Sequence, residues 1–253
     1  MERANPTTNR ITRSRRNSKP PFIFCHYNKY LFPSIIEAGV KLVLSLKKTL
    51  GEVKKEIAGK QIVKENAQND MRKALSLSKH AILLIHQKKT RDAEKLVEKA
   101  KEIISELNAT SETHPEIIHG GLFNAALQEY SEANILLRLV EDSRFATPKE
   151  INVPSVDYLL GLADVIGEYR RLALDSLREG RVKEAEQHLK TMDEIYVELM
   201  AIDEVIIFVP ELRRKCDVAR RIIDATRGDV TQEVRRSSLE KHLKLFEKTI
   251  KKR

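Results

Sequence analysis

From about residue 34 the hydrophobic positions recur every three or four residues, the spacing that gathers them on one face of an α-helix. Met71, Leu75, Leu77, Ile82 and Ile85 form such a face, within a stretch over 34–88 that reads as one or two long helices. Thr90 then caps a helix to about Leu107, with Ala93, Leu96, Val97, Ala100, Ile103 and Ile104 turned inward. The polar run NATSETH, residues 108–114, predicts a loop. Pro115 suits the first turn of the next helix, where the missing N–H has no partner to lose. That helix is expected to run through LQEYSEA, residues 127–133, to about Glu141. Another is expected from near Pro154 to a C-cap at Gly180. The stretch REGRVKEAE then turns the chain into an antiparallel partner ending near Met200. Pro210 opens a further helix predicted to stop at Gly228, and Asp229 with Gln232 resembles a capping box for a last one. No period-two strand pattern occurs. The expectation is an all-α, single-domain bundle of about seven helices over residues 34–253.

Residues 1–33 break this pattern. The first twenty are rich in Arg, Asn, Ser and Thr without apolar periodicity, which predicts a disordered basic extension. Between Pro20 and Pro33, Phe22, Phe24, Tyr27, Tyr30 and Phe32 follow neither a helical nor a clean strand spacing, and docking on a neighbouring surface is the one role they suggest. With 33% charged residues, 5% aromatics and no Trp, the composition suits helices better than a sandwich or barrel. Cys25 and Cys216 form no CxxC and no His/Cys cluster, which argues for a reducing compartment and against structural zinc. No apolar run approaches the ~20 residues of a membrane span, and the basic N-terminus lacks a signal-peptide core. A cytoplasmic protein with no membrane contact is therefore expected. The net charge of +9 is uneven: residues 1–20 carry +5, residues 211–253 carry +7, and the interior is about −3. Basic ends suit an anionic partner, although solvated tails would account for the charge equally well.

Two acidic pairs stand out. Glu129 falls at the centre of an apolar stripe made by Leu122, Ala125, Ala126, Ala133, Leu136 and Val140, and Glu132 on its margin. Charges withdrawn from water cost several kcal/mol unless paired. A metal ion, an arginine from another helix, or a solvated edge would each meet that cost, and spacing does not choose among them. Asp164 and Glu168 lie one turn apart on one face, opposite the main apolar face and beside Asp157, Arg171 and Asp175. A solvated face with a Glu168–Arg171 pair is the plain reading. Gly161 and Gly167 flank these acids and leave room for close approach by a backbone or ligand. Along ELRRKCDVARR, Leu212, Cys216, Ala219 and Ile223 face inward, while Arg213, Arg214, Lys215, Arg220 and Arg221 offer a cationic track for phosphates, or a helix edge paired with Asp217 and Asp224.

LQEYSEA, then PSVDYLLGLADVIGE, then LRRKCDVARRIIDATRG, in that order and spacing, resemble the translin/Trax family, most of all its archaeal, Trax-like members. The resemblance covers residues 65 to 235. It implies a seven-helix fold that assembles into hollow, barrel-like homo-oligomers, often octamers, with nucleic acid inside. It also implies that Glu129, Glu132, Asp164 and Glu168 form a metal-dependent ribonuclease site. Four carboxylates suit Mg²⁺ or Mn²⁺. The function so implied is a Mg/Mn-dependent endoribonuclease acting on single-stranded or unpaired RNA with little sequence specificity. The alternative is a non-catalytic, translin-like oligomer that binds single-stranded RNA or DNA.

Overall fold

The computed structural model describes the backbone of residues 32–251 and the side chains of 37–251. The basic extension and aromatic run expected over 1–33 thus lie, except for the first helical residues, outside the described residues. Among those described there are helices and no strands: α1 (Phe32–His86), α2 (Thr90–Thr113), α3 (Pro115–Ile118), α4 (Gly121–Asp142), α5 (Pro148–Ile151), α6 (Ser155–Arg178), α7 (Val182–Met200), α8 (Asp203–Phe208) and α9 (Pro210–Ile250). None of these helices is long and apolar enough to cross a membrane. The chain divides into two units, residues 1–56 and 57–253. In the first, the described part of α1 carries exposed Val40, Val43, Leu46, Leu50 and Val53.

In the second unit α6 is the hub, packing against α4, α7 and α9, with α2 on α4. The predicted faces supply the core: Met71, Ile82 and Ile85 from α1; Val97, Ile103 and Ile104 from α2; Leu212, Cys216, Ala219 and Ile223 from α9. The α6–α7 turn is the expected one, with Gly180 at φ 74° accepting the left-handed conformation that a side chain disfavours.

Four boundaries differ from expectation. NATSETH is helical to Thr113, where Thr110, Ser111 and Thr113 donate their hydroxyls to carbonyls of the preceding turn, a use these side chains have inside a helix as well as in a loop. The helix opened by Pro115 ends after one turn at Ile118, and a new one starts at Gly121 after an extended Gly120. Gly228 does not end a helix. An interior glycine costs about 1 kcal/mol, and here buried Val230 packs with Ala173 and Ala185 to hold α9 straight through. The short α5 and α8 had no periodic signal to announce them; α5 is closed by a capping box between Thr147 and Glu150.

Candidate metal and nucleic-acid site

The four motif acids come from two adjacent helices, Glu129 and Glu132 from α4, Asp164 and Glu168 from α6. What lets the helices close up is Gly161. A Cβ there would meet the Gln128 carbonyl oxygen at 2.7 Å, the Ser131 Cβ at 2.7 Å and the Glu132 nitrogen at 3.0 Å. The glycine therefore presses α6 directly onto the turn that carries Glu132. Gly167, by contrast, has no atom within 4 Å of such a Cβ. It borders an open hollow of about 290 Å³ between α6 and α9, lined also by Asp164, Arg214 and Lys215.

The wheel placed Glu129 at the centre of the apolar stripe; the structure reverses the two glutamates. Glu132 is 7% exposed, whereas the Glu129 side chain is 26% exposed and lies 3.4 Å from Lys79 Nζ of α1. The reason is that α4 is covered on most sides, so its stripe is wider than a one-faced helix would show, and the side facing Gly161 is the tightest. Burial pushes the Glu132 carboxyl up to about 9, and the neighbouring charges of Asp164, Glu129 and Glu168 push the same way. Burial also raises Glu129 and Asp164 above the ordinary carboxylate range, against the pull of Lys79 and Lys215 respectively. The acids thus share one field across the two helices.

Asp164 is held by Lys215 Nζ of α9 at 2.5 Å. That lysine was expected to face phosphate, and it stands at the acidic group instead. Glu168 does not pair with Arg171, which is exposed; it meets His86 at the end of α1, through Nε2 on Oε2. Asp157, expected on the solvated side of α6, is buried, and its carboxyl is raised by that burial. His86 carried no signal in the sequence, being a lone histidine 82 positions from its partner. Among the described residues, no three His, Cys, Asp or Glu side chains stand grouped around a common metal position; Lys79, Lys215 and His86 engage three of the four acids. The donor chemistry nonetheless fits a hard divalent cation, with oxygen ligands on two rigid helices in mutual repulsion.

On α9, Arg213, Arg214, Arg220 and Arg221 are exposed while Leu212, Cys216, Ala219 and Ile223 are buried, as the spacing predicts. Asp224 pairs with Arg227 and not with these arginines. The Arg221 Nε donates to the Asp217 carbonyl oxygen at 3.3 Å.

The sequence model of the Translin family matches residues 45–224. An uncharacterised protein of Methanocaldococcus jannaschii is 34% identical over 168 residues, which span 65% of this chain and 74% of that protein. The solved structure of AfC3PO is similar at 34% identity with a TM-score of 0.66, covering 73% of this chain and 96% of that one. A structure of AfC3PO in complex with duplex RNA is similar at 32% identity and a TM-score of 0.64, with the same coverage. At 23% identity and a TM-score of 0.67, over 73% of this chain and 96% of that one, apo-NeC3PO shares the fold.

Proposed function

The chain belongs to the Translin family, and we propose that it is a metal-dependent endoribonuclease that cuts single-stranded or unpaired RNA with little sequence preference. Glu129, Glu132, Asp164 and Glu168 would hold Mg²⁺ or Mn²⁺. The observation that carries this reading is geometric: Gly161 lets α6 press onto the turn of α4 that bears Glu132, so a buried carboxyl lies in the field of Asp164, Glu129 and Glu168. A divalent cation relieves such repulsion. Bound there, it would supply positive charge to the reacting phosphate and acidify water.

The other roles fall to this chain's own side chains. Burial favours the protonated Glu132 carboxyl at neutral pH, and holding a cation would require it to give up that proton. Lys79 and Lys215 pair with Glu129 and Asp164, and would be available to phosphate if a cation took up those acids. Arg213, Arg214, Arg220 and Arg221 hold the RNA backbone, which gives affinity and salt dependence but no base readout. The complex of AfC3PO with duplex RNA supports RNA as the partner class. A homo-oligomer, octameric if it follows the family resemblance, and binding of single-stranded DNA belong to the same reading.

The lysine pairs on Glu129 and Asp164 favour one second reading: acids that serve to anchor α1 and α9 in a non-catalytic, translin-like oligomer binding single-stranded RNA or DNA. Labelled single-stranded RNA, with and without Mg²⁺ or Mn²⁺, separates the two. Catalysis predicts metal-stimulated cleavage that Glu129→Gln abolishes while the helical circular dichroism stays the same. Undiminished cleavage by that variant rules the assignment out. Salt-sensitive binding without cleavage under any divalent ion leaves the second reading standing.

A further inference from the structure

We infer that His86 is a positioning residue for the acidic group, fixing the Glu168 carboxylate through its imidazole Nε2. The inference rests on the metal-binding reading of the four acids. His86 is the last residue of α1, and the chain after it turns back at once. Lys88 adopts φ 60°, its N–H donates to the Ile85 carbonyl at 2.9 Å, and the Lys89 N–H donates to the Leu84 carbonyl at 2.9 Å. This closed helix end leaves the His86 backbone little freedom. The side chain is 3% exposed, so the ring is held by packing as well.

The two ring nitrogens differ. Nε2 faces Glu168 Oε2. A carboxylate oxygen only accepts, so Nε2 carries the proton and donates. Nδ1 is buried with no hydrogen-bond partner; the residue also lines, with Tyr169, Leu172 and His188, a cavity of about 580 Å³. An apolar residue of similar size would fill the same space and leave no buried nitrogen unmet. The one thing the imidazole does that such a residue could not is bond Glu168.

That bond bears on the acidic group directly. Glu168 follows Asp164 by one turn on the same face of α6, and its charge reaches Glu132. Unrestrained, a glutamate with a side chain 24% exposed samples many rotamers. Anchored at one oxygen by an N–H from a rigid helix end, it keeps the other oxygen available and aimed. Hydrogen bonds of this outer kind set the orientation of metal-binding side chains, and losing one costs ~10–100-fold in metal affinity.

The test compares full-length wild type with His86→Gln and His86→Asn, because the glutamine amide nitrogen reaches as far as Nε2 and the asparagine nitrogen only as far as Nδ1. Mn²⁺ affinity is read from the electron paramagnetic resonance signal of the free ion. Melting temperature and RNA affinity are read in EDTA. Expected are Mn²⁺ binding within about threefold of wild type for His86→Gln and weakened by ~tenfold or more for His86→Asn, with RNA affinity in EDTA unchanged in both. Equal Mn²⁺ affinity in all three proteins overturns the inference. So does a parallel fall in melting temperature and Mn²⁺ affinity in both variants, which marks a purely structural histidine. Wild type that takes up no Mn²⁺ overturns the metal reading itself, and this inference with it.

Discussion

Glu132→Gln removes the ionisable group from the most buried of the four acids while keeping its size and much of its hydrogen-bonding capacity. In the absence of a cation the Glu132 carboxyl is pushed up to about 9 from the ordinary glutamate value of 4.5, by burial first and then by Asp164, Glu129 and Glu168. A folded value above the unfolded one means that the folded chain holds the proton more tightly. Its stabilising contribution is complete below about pH 4.5 and is lost as the pH rises toward 9. At pH 8 the unfolded chain has shed the proton and the folded chain has not. At about 1.4 kcal/mol per unit, that gap weighs on the order of a few kcal/mol against the wild-type fold. Glutamine never ionises and escapes the penalty. With ~2–4 °C of melting temperature per kcal/mol for a chain of this size, the variant should melt on the order of 10 °C above wild type at pH 8 in EDTA. At pH 5 the difference should shrink to roughly 2 °C. Saturating Mn²⁺ should narrow the gap at pH 8, and cleavage should be lost in the variant. Thermal unfolding followed by circular dichroism at both pH values is the assay. An equal difference at the two pH values, or no gain at pH 8, refutes the reasoning.

Two further outcomes follow from the same geometry. Gly161→Ala puts a Cβ at 2.7 Å from the Gln128 carbonyl oxygen and from Ser131 Cβ; since backbone cannot yield as a side-chain tip does, α4 and α6 must part, lowering stability by about 1–3 kcal/mol in a thermal melt, with Mn²⁺ affinity falling too. Arg213→Ala and Arg220→Ala, both exposed on α9, should each weaken RNA binding uniformly across sequences and reduce the slope of log affinity against log salt by about one, as read by fluorescence anisotropy.

Helix periodicity made the long elements legible where they bury a face: the α6–α7 hairpin with Gly180 between, or the inward residues of α9 at Leu212, Cys216, Ala219 and Ile223. Where reading failed, a residue type stood for a local outcome that packing overrode. Gly228 looked like a stop, yet Val230 two residues later is buried against α6 and α7. Ser and Thr in NATSETH looked like loop, yet their hydroxyls bonded back along the helix. The four acids were visible as two pairs, and it was the motifs, not the spacing, that put the two pairs together; the structure shows that Asp164, Glu129 and Glu168 act on the Glu132 carboxyl through their charges. Which glutamate is buried was not legible, since a wheel drawn for one face cannot see that α4 is covered on most sides. Lys79 and His86 were beyond reach as site residues, and Lys215, named for phosphate, was not legible as a partner of Asp164, for a plainer reason. Their role lies in a contact between helices distant along the chain, and an isolated lysine or histidine in the sequence looks the same with or without it.

The most direct test is calorimetric titration of the wild-type protein with Mn²⁺ near pH 7.5 in two buffers of different ionisation enthalpy. Four acids around one cation, one of them protonated beforehand, predict a single Mn²⁺ per chain and release of about one proton per ion bound. Absence of saturable uptake, or uptake without proton release, contradicts the account.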